Sequence, residues 1–529
     1  MVPVTPVPLA PTLADACRRW PDRPAITYCG DTTSYRELGR QVDALAAAYV
    51  ELGIKPGDRI VCQLPDCPEH IVAINAAWAC GAVHVGADND LTGDELSWLL
   101  DYTDAAALLY QPRADREDPV ADLRAVCRAC PSARLIVHRW SPESDELGHL
   151  QLGDLLVGHP SPVPHPGRGP EDTGVLFMTS GTTGQPKAVM ETLPVGWAKM
   201  QFFTDASRPG PEDVHLIYLP VSHVFGMRLA LLGLLRGGRV VLMERFRPEE
   251  ALRLIGEERV TVLPGMPTHL TLIVNQLDDD RHDVSSLRWA ISAAANIPAP
   301  LVEQVYDRLG VDLLYVYGCS EGFTTQTTDR DEIVAGSVGS WVFKGPEGTS
   351  AQGSVAVLDP DDKVEVERGV VGEIAFRAAA PVRYWRRPPV ATDGWYHTGD
   401  LGRMDEKGRL YVLGRLKQVV NRGGLKVLPG EVEVVLTRHP GIADAAVIGT
   451  PDTVLGEATC VCIVPADDHP PDLAEVRSFL GATLARHKLP DELCVVLAIP
   501  RTQIGKVDRP SLQSTVVDSD RPREHLRHR

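Results

Sequence analysis

The sequence predicts a large α/β domain, built as two layered α/β halves with a small β-rich subdomain, followed by a small mobile α+β domain. Three observations carry this expectation. Short apolar runs alternate with amphipathic stretches up to about residue 340; beyond it the candidate strands become short and turn-rich; and after residue 417 the chain reads as a compact α+β unit. A length of 529 residues leaves room for three or four folding units at roughly 150 residues each.

In chain order, Ser34-Tyr35-Arg36-Glu37 has the spacing of a capping box. Leu38, Val42, Leu45, Tyr49 and Leu52 follow at helical period, and Gly53 is placed to stop the helix. A Pro56-Gly57-Asp58 turn leads to an apolar run at 60–64, an alanine-rich helix at 71–80 and a second short run at 83–85, a β-α-β rhythm. It recurs with runs at 216–219, 240–243, 260–263, 289–292 and 313–317, so largely parallel sheets are expected. Residues 158–172, rich in Pro, His and Gly, read as a loop between the halves. Short strands at 353–357, 372–377 and 409–413 form the β-rich subdomain, about 340–415. The expected boundaries are 1–417 for the large domain, 418–515 for the small one and 516–529 for a disordered tail. In the small domain a helix starts at Glu431, strands occupy 445–448, 459–464 and 493–497, and Asp472 with Glu475 opens a second helix.

Composition narrows the function classes. With 53 Lys+Arg against 71 Asp+Glu the formal net charge is −18, which argues against sequence-blind attachment to nucleic acid or anionic membrane. No apolar run reaches the ~18–20 residues needed to span a bilayer. The first residues lack a basic stretch followed by an apolar core, so a cytoplasmic location is expected. Eleven cysteines scattered over the chain disfavour a disulfide framework. Cys127 and Cys130 have metal-ligand spacing but no second pair at a useful distance, and Cys460 and Cys462 alternate as on a core strand.

Four stretches carry chemistry. The apolar run 175–178 leads directly into Thr179-Ser180-Gly181-Thr182-Thr183-Gly184-Gln185-Pro186-Lys187. A loop of glycines and hydroxyls leaving a strand offers N–H and O–H donors to phosphates, although a plain polar turn has the same composition. It is not a P-loop, since only two residues separate the glycines and Ala188 follows the lysine. Tyr317-Gly318-Cys319-Ser320-Glu321-Gly322 likewise ends an apolar strand, where crevices open in parallel sheets. Its aromatic face, hydroxyl and carboxylate suit a base, a phosphate and a magnesium ion, and a strand-to-helix turn is the competing reading. Trp395-Tyr396-His397-Thr398-Gly399-Asp400, with Gly414-Arg415 beyond a hairpin, offers a carboxylate to paired hydroxyls. Arg501-Thr502-Gln503-Ile504-Gly505-Lys506 presents a lysine on a glycine turn.

In this order and spacing the four stretches resemble the adenylate-forming superfamily of acyl- and aryl-CoA synthetases, peptide-synthetase adenylation domains and luciferases, over about residues 12–515. The resemblance implies that Thr179, Ser180, Gly181, Thr182, Thr183, Gly184 and Lys187 hold the triphosphate of ATP and that Glu321 binds Mg2+. It implies that Tyr317 packs on the adenine, that Gly318, Ser320, Ala294, Ala295 and Asn296 also belong to the nucleotide-binding site, and that Asp400 and Arg415 grip the ribose. Lys417 would be the hinge, Lys506 would bridge the acid carboxylate and the α-phosphate, and His223 would border the acid pocket. Without the resemblance, His223 reads as a packed core histidine.

The implied activity is acid activation through an acyl-adenylate with release of pyrophosphate, then transfer to a thiol. Coenzyme A is the expected acceptor, and the alternative is a stand-alone enzyme loading an acyl carrier protein. Activation of nitrite for diazotisation of an aryl amine stays open, and a non-catalytic binding protein is disfavoured by the intact Lys506, Glu321 and Asp400. Four places depart from the family pattern: Ser320 for threonine, Gln418 for aspartate, Arg383 for glycine, and Ser292-Ala293-Ala294-Ala295-Asn296, where one or two glycines are usual. The extra methyl groups disfavour a long, bulky acyl chain, and an aromatic or short acid is expected. No aspartate stands out as a partner for an amino group of the substrate.

Overall fold

The computed structural model describes residues 12–112, 133–139, 150–158, 172–179, 186–322, 324–341, 354–377, 382–388, 394–501, 506–518 and 524–525, with helical positions at 124, 126 and 128. Among these residues the strands form four sheets.

The first runs, edge to edge, Ser340–Trp341, Thr324–Thr327, Asp312–Gly318, Trp289–Ser292, Val262–Gly265, Val214–Ile217, Arg239–Leu242, Pro24–Tyr28 and Asp31–Ser34. Its six strands from Asp312–Gly318 to Pro24–Tyr28 are mutually parallel. The second runs Arg383–Tyr384, Lys187–Thr192, Thr173–Thr179, Val83–Gly86, Arg59–Gln63, Ala105–Tyr110, Arg134–Val137 and Leu150–Gln151, again with six parallel strands from Thr173–Thr179 onward. The expected parallel sheets are therefore present, and antiparallel strands close both edges of the first and one edge of the second. The β-rich segment is a four-stranded antiparallel sheet of Ser354–Leu358, Gly372–Arg377, Tyr396–Met404 and Leu410–Arg415.

Packing explains why the apolar periodicity was informative. The helix Tyr35–Glu51 buries Leu38, Val42, Leu45 and Tyr49 in one cluster with Ile60 of one sheet and Leu216 of the other. Ser34 caps it by accepting the Glu37 N–H. The Glu37 carboxylate turns instead to Arg40, at 2.7 and 2.8 Å, so only one arm of the expected box forms. Tyr35 is fully buried, and its hydroxyl donates to the carbonyls of Leu234 and Gly238.

Beyond a short 3-10 turn, Leu416–Gln418, a sheet built on Ile442–Asp452, Gly456–Pro465 and Glu492–Val495 carries the helices Pro429–Leu436 and Leu473–Gly481. Asp472 accepts the Glu475 N–H, as the sequence suggests, and Cys460, Cys462 and Cys494 are buried on that sheet as expected of core residues. Of the segment expected to be a disordered tail, residues 516–518 and 524–525 are described. Val516 is buried, and Glu524–His525 pairs antiparallel with Glu492 and Leu493, because an otherwise open strand edge supplies unpaired backbone groups. The interdomain loop at 159–171 and the Cys127/Cys130 pair lie outside the described residues. Among the described residues, no helix is long and apolar enough to cross a membrane.

Candidate active site

Two of the motifs begin where strands of the large sheets end, Thr173–Thr179 in one and Asp312–Gly318 in the other, and the Asp400–Arg415 motif lies in the antiparallel sheet. Thr179 and Lys187 face each other across the antiparallel pair of strands that frames the hydroxyl-rich loop. Ser180, Gly181, Thr182, Thr183 and Gly184 lie outside the described residues. The Lys187 ammonium sits 5.4 Å from the centroid of the Tyr384 ring.

Tyr384 ties this corner to the second motif. Its hydroxyl donates to Glu321 Oε1 at 2.8 Å and lies 3.1 Å from the Tyr396 hydroxyl. Burial, then the Glu321 charge, hold the Tyr384 phenol above its ordinary range, so it stays a donor to the carboxylate. Tyr384 stands beside the unusual Arg383. Its hydroxyl role has no pattern signature, and sequence reasoning passed over it.

Asp400 and Arg415 are register partners on neighbouring antiparallel strands, with Arg415 Nε 2.8 Å from Asp400 Oδ1. The other carboxylate oxygen accepts the Tyr317 hydroxyl at 2.6 Å. Asp400 thus already has two protein partners, and the Tyr317 hydroxyl is spent on it. Gly318 is exposed and Ser320 half-buried at the strand end. The segment before Asp400 is braced by Glu373, which contacts His397 Nδ1 at 3.0 Å and the Gly399 N–H at 3.2 Å.

Lys506 comes from the far end of the chain into this group. Its side chain is exposed to solvent, although the neighbouring groups withdraw part of the ammonium's hydration. Desolvation and the Arg415 cation push its ammonium below the usual lysine range, opposed by Asp400, Cys319 and Glu321. Lys417 is exposed within the 3-10 turn that follows Arg415.

His223 caps the helix Val224–Leu235 at its N-terminus. Gly226 allows the tight approach before it, since a Cβ there would lie 2.3 Å from the Pro220 carbonyl oxygen. Two aspartates that carry no motif signature stand beside this segment. Asp88 Oδ2 is 3.6 Å from His223 Nε2, and the buried Asp66 accepts the Val221 N–H at 2.7 Å, its carboxyl pushed up to about 7 by burial. The missed signal for Asp88 was its place just past the parallel strand Val83–Gly86, at the strand end where ligands bind.

Of the alanine segment, Ala294 and Asn296 are exposed, and the Ala295 carbonyl accepts the Tyr315 hydroxyl at 3.0 Å. Ala294 has φ 73°, a left-handed conformation, which accounts for the glycines usual there.

A further cluster has no counterpart in the motif reading. Glu191 Oε2 accepts Lys199 Nζ at 2.5 Å and Arg228 Nη2 at 2.6 Å, and Lys199 also donates to the Ser320 carbonyl at 3.3 Å. Burial pushes the Glu191 carboxyl up, but the two cations outweigh it and hold it below its ordinary value.

A carboxylate just past the end of a parallel strand, an Asp–Arg pair on the antiparallel sheet and a lysine delivered from a distant segment fit a protein that handles ATP and makes an adenylate. Comparison with known proteins identifies the family. The AMP-binding enzyme model matches residues 13–383, and the model of the AMP-binding enzyme C-terminal domain matches residues 431–506; the chain belongs to the AMP-binding enzyme family. It is 32% identical to 2,3-dihydroxybenzoate-AMP ligase of Bacillus subtilis (strain 168), over 95% of this chain and 93% of that one. It is also 32% identical to 2-hydroxy-7-methoxy-5-methyl-1-naphthoate–CoA ligase of Streptomyces carzinostaticus, over 95% and 92%. Among solved structures it is similar to ATP-bound MatB from Rhodopseudomonas palustris, with 28% identity, a TM-score of 0.82 and coverage of 96% and 99%.

Proposed function

We propose that the chain uses ATP to adenylate a small aromatic carboxylic acid, releasing pyrophosphate, and passes the acyl group to the thiol of coenzyme A. The observation that carries this reading is the convergence of Lys506 on Asp400, Arg415 and Glu321. Attack of a carboxylate on an α-phosphate brings two anions together. A cation at ~4 Å in an effective dielectric near 20 offsets that repulsion by on the order of 4 kcal/mol, roughly a thousandfold in rate.

In this scheme Lys506 lies between the acid carboxylate and the α-phosphate, Asp400 receives ribose hydroxyls with Arg415 holding its orientation, and His223 borders the acid. The other oxygen of Glu321 is a hard donor suited to Mg2+, which would supply charge stabilisation at the departing pyrophosphate. The hydroxy-aromatic acids in the names of the two relatives and the alanine floor favour an aromatic acid over a long chain.

The test is ATP–pyrophosphate exchange across aromatic, aliphatic and amino acids, with nitrite plus an aryl amine as a separate arm. It is followed by acyl transfer to coenzyme A or to a carrier protein. Lys506→Ala should lower exchange by about a thousandfold and still permit thioester formation from a supplied acyl-adenylate. Conversion of ATP to ADP, or exchange retained in the variant, refutes the scheme.

A further inference from the structure

The cluster Glu191–Lys199–Arg228 holds two cations on one carboxylate, in side chains only 4% (Lys199), 9% (Arg228) and 2% (Glu191) exposed. One positive charge is therefore uncompensated within the cluster. Burying it is unfavourable unless an acceptor answers it. Lys199 has a second acceptor in the Ser320 carbonyl. Arg228 is less well satisfied: its Nη2 reaches Glu191, but its Nε is buried with no hydrogen-bond partner among the described residues, and the Phe177 ring, 5.9 Å away, offers only a weak face to the guanidinium. A fold gains nothing from leaving such a donor unmet, and a planar guanidinium fork suits a carboxylate.

The position of the cluster says what could meet it. The turn from Gly318 to Gly322 separates it from Lys506, and Cys319 lies within electrostatic reach of both lysines. A Cβ placed on Gly322 would touch the end of Lys199 at 3.4 Å. Arg228 stands one helical turn beyond Val224, on the helix that His223 caps. The unmet cation is thus close to the region assigned to the acid, across the turn from the lysine assigned to the reacting carboxylate.

We propose that Arg228, seated with Lys199 on Glu191, is a receptor for a second oxygen acceptor on the acid substrate, a second carboxylate most strongly and a hydroxyl oxygen less so. The inference rests on the acid-activation reading above and deepens it by naming the substrate class. Glu191 serves as the fixed anion that keeps both cations charged and in place, and Lys199 links the receptor to the turn bearing Glu321.

The experiment compares pyrophosphate exchange by the full chain with benzoate, 3-hydroxybenzoate and benzene-1,3-dicarboxylate, and with propanoate against butanedioate. In the wild type, kcat/KM should rise in the order unsubstituted, hydroxylated, dicarboxylic, with about 100-fold between the ends. Arg228→Met should bring the acids of a set within about threefold of one another, and Arg228→Lys, which keeps the charge, should retain part of the preference; circular dichroism checks that both variants fold. An unsubstituted acid as best substrate, or an equal loss for every acid in Arg228→Met, overturns the proposal. Absence of exchange with any acid defeats the acid-activation reading instead, and the receptor is then judged by thermal shift. Stabilisation by benzene-1,3-dicarboxylate but not benzoate, lost in Arg228→Met, supports it; no difference between the two ligands overturns it.

Discussion

The Tyr317 hydroxyl lies 2.6 Å from Asp400 Oδ2, while Arg415 holds the other oxygen of the same carboxylate at 2.8 Å. The side chain expected to face the adenine also orients the acid expected to meet the ribose. A hydrogen bond to a charged group contributes about 1.5–3 kcal/mol, and each 1.4 kcal/mol is tenfold in affinity. Tyr317→Phe keeps the ring and removes the donor. Steady-state kinetics should show the KM for ATP raised roughly tenfold with kcat little changed; an unaltered KM would mean that Asp400 is held well enough by Arg415 alone.

Lys506 titrates below an ordinary lysine through desolvation and the Arg415 cation, with Asp400 and Glu321 opposing. The protonated form is the one that can bridge two anions, so kcat/KM should fall on the alkaline side at a pH below the usual lysine pKa of ~10.4. Removing an opposing charge lowers the ammonium pKa further, so Asp400→Asn should move that limb to lower pH. Movement to higher pH would contradict the assignment.

Ala294 holds φ 73°, a conformation that costs an L-residue about 1–2 kcal/mol. Replacement by glycine removes that strain at an entropic cost of about 0.5–1 kcal/mol. Ala294→Gly should therefore be neutral to about 1 kcal/mol more stable in chemical denaturation, and it should admit bulkier acids in an exchange screen. A clear loss of stability would show that the methyl group contributes packing that offsets the strain.

Asp66 is buried against the Val221 N–H with its carboxyl raised to about 7. Its folded pKa lies above the unfolded value of ~3.9, so the native state holds the proton longer. The resulting stability is present at low pH, declines as pH rises from about 4 to about 7, and is gone above that. A shift of about three units corresponds to roughly 4 kcal/mol at most. Asp66→Asn keeps an acceptor for Val221 without the charge. Its stability relative to wild type, followed by denaturant titration between pH 4 and 8, should increase with pH; a flat difference would place the carboxyl pKa near normal.

The elements legible from sequence were those in which period and punctuation agree. The Tyr35–Glu51 helix buries Leu38, Val42, Leu45 and Tyr49 of the residues that its period marks, with Leu52 half-buried at its C-cap, and the strand Trp289–Ser292 begins and ends where the apolar run does. Motif order also pointed to Glu321, Asp400, Arg415 and Lys506, because Glu321 and Arg415 sit in a turn and at a strand end, and Asp400 lies within a strand, all in stretches whose local sequence is distinctive. Contacts made by residues without a local signature were not legible. Glu191 lies on a strand, Lys199 and Arg228 on two different helices, and only tertiary packing shows that two cations share one carboxylate. Asp66 and Asp88 were overlooked for a similar reason: single aspartates in loops look like solvated turns until burial is known. The pairing of Glu524–His525 was not legible either, because charge density gives no sign of the strand edge that this stretch covers.

That edge has a practical side. With Glu524–His525 in place, the strand Glu492–Val495 is paired on both flanks, and the Glu524 carboxylate also accepts the Leu473 N–H at 2.8 Å. A version of the protein shortened just after Val516 would keep its buried side chains while baring a row of backbone donors and acceptors. Such a surface invites the matching strand of another molecule, so trimming the charged end to improve crystals or expression would be expected to make the protein stickier in concentrated solution.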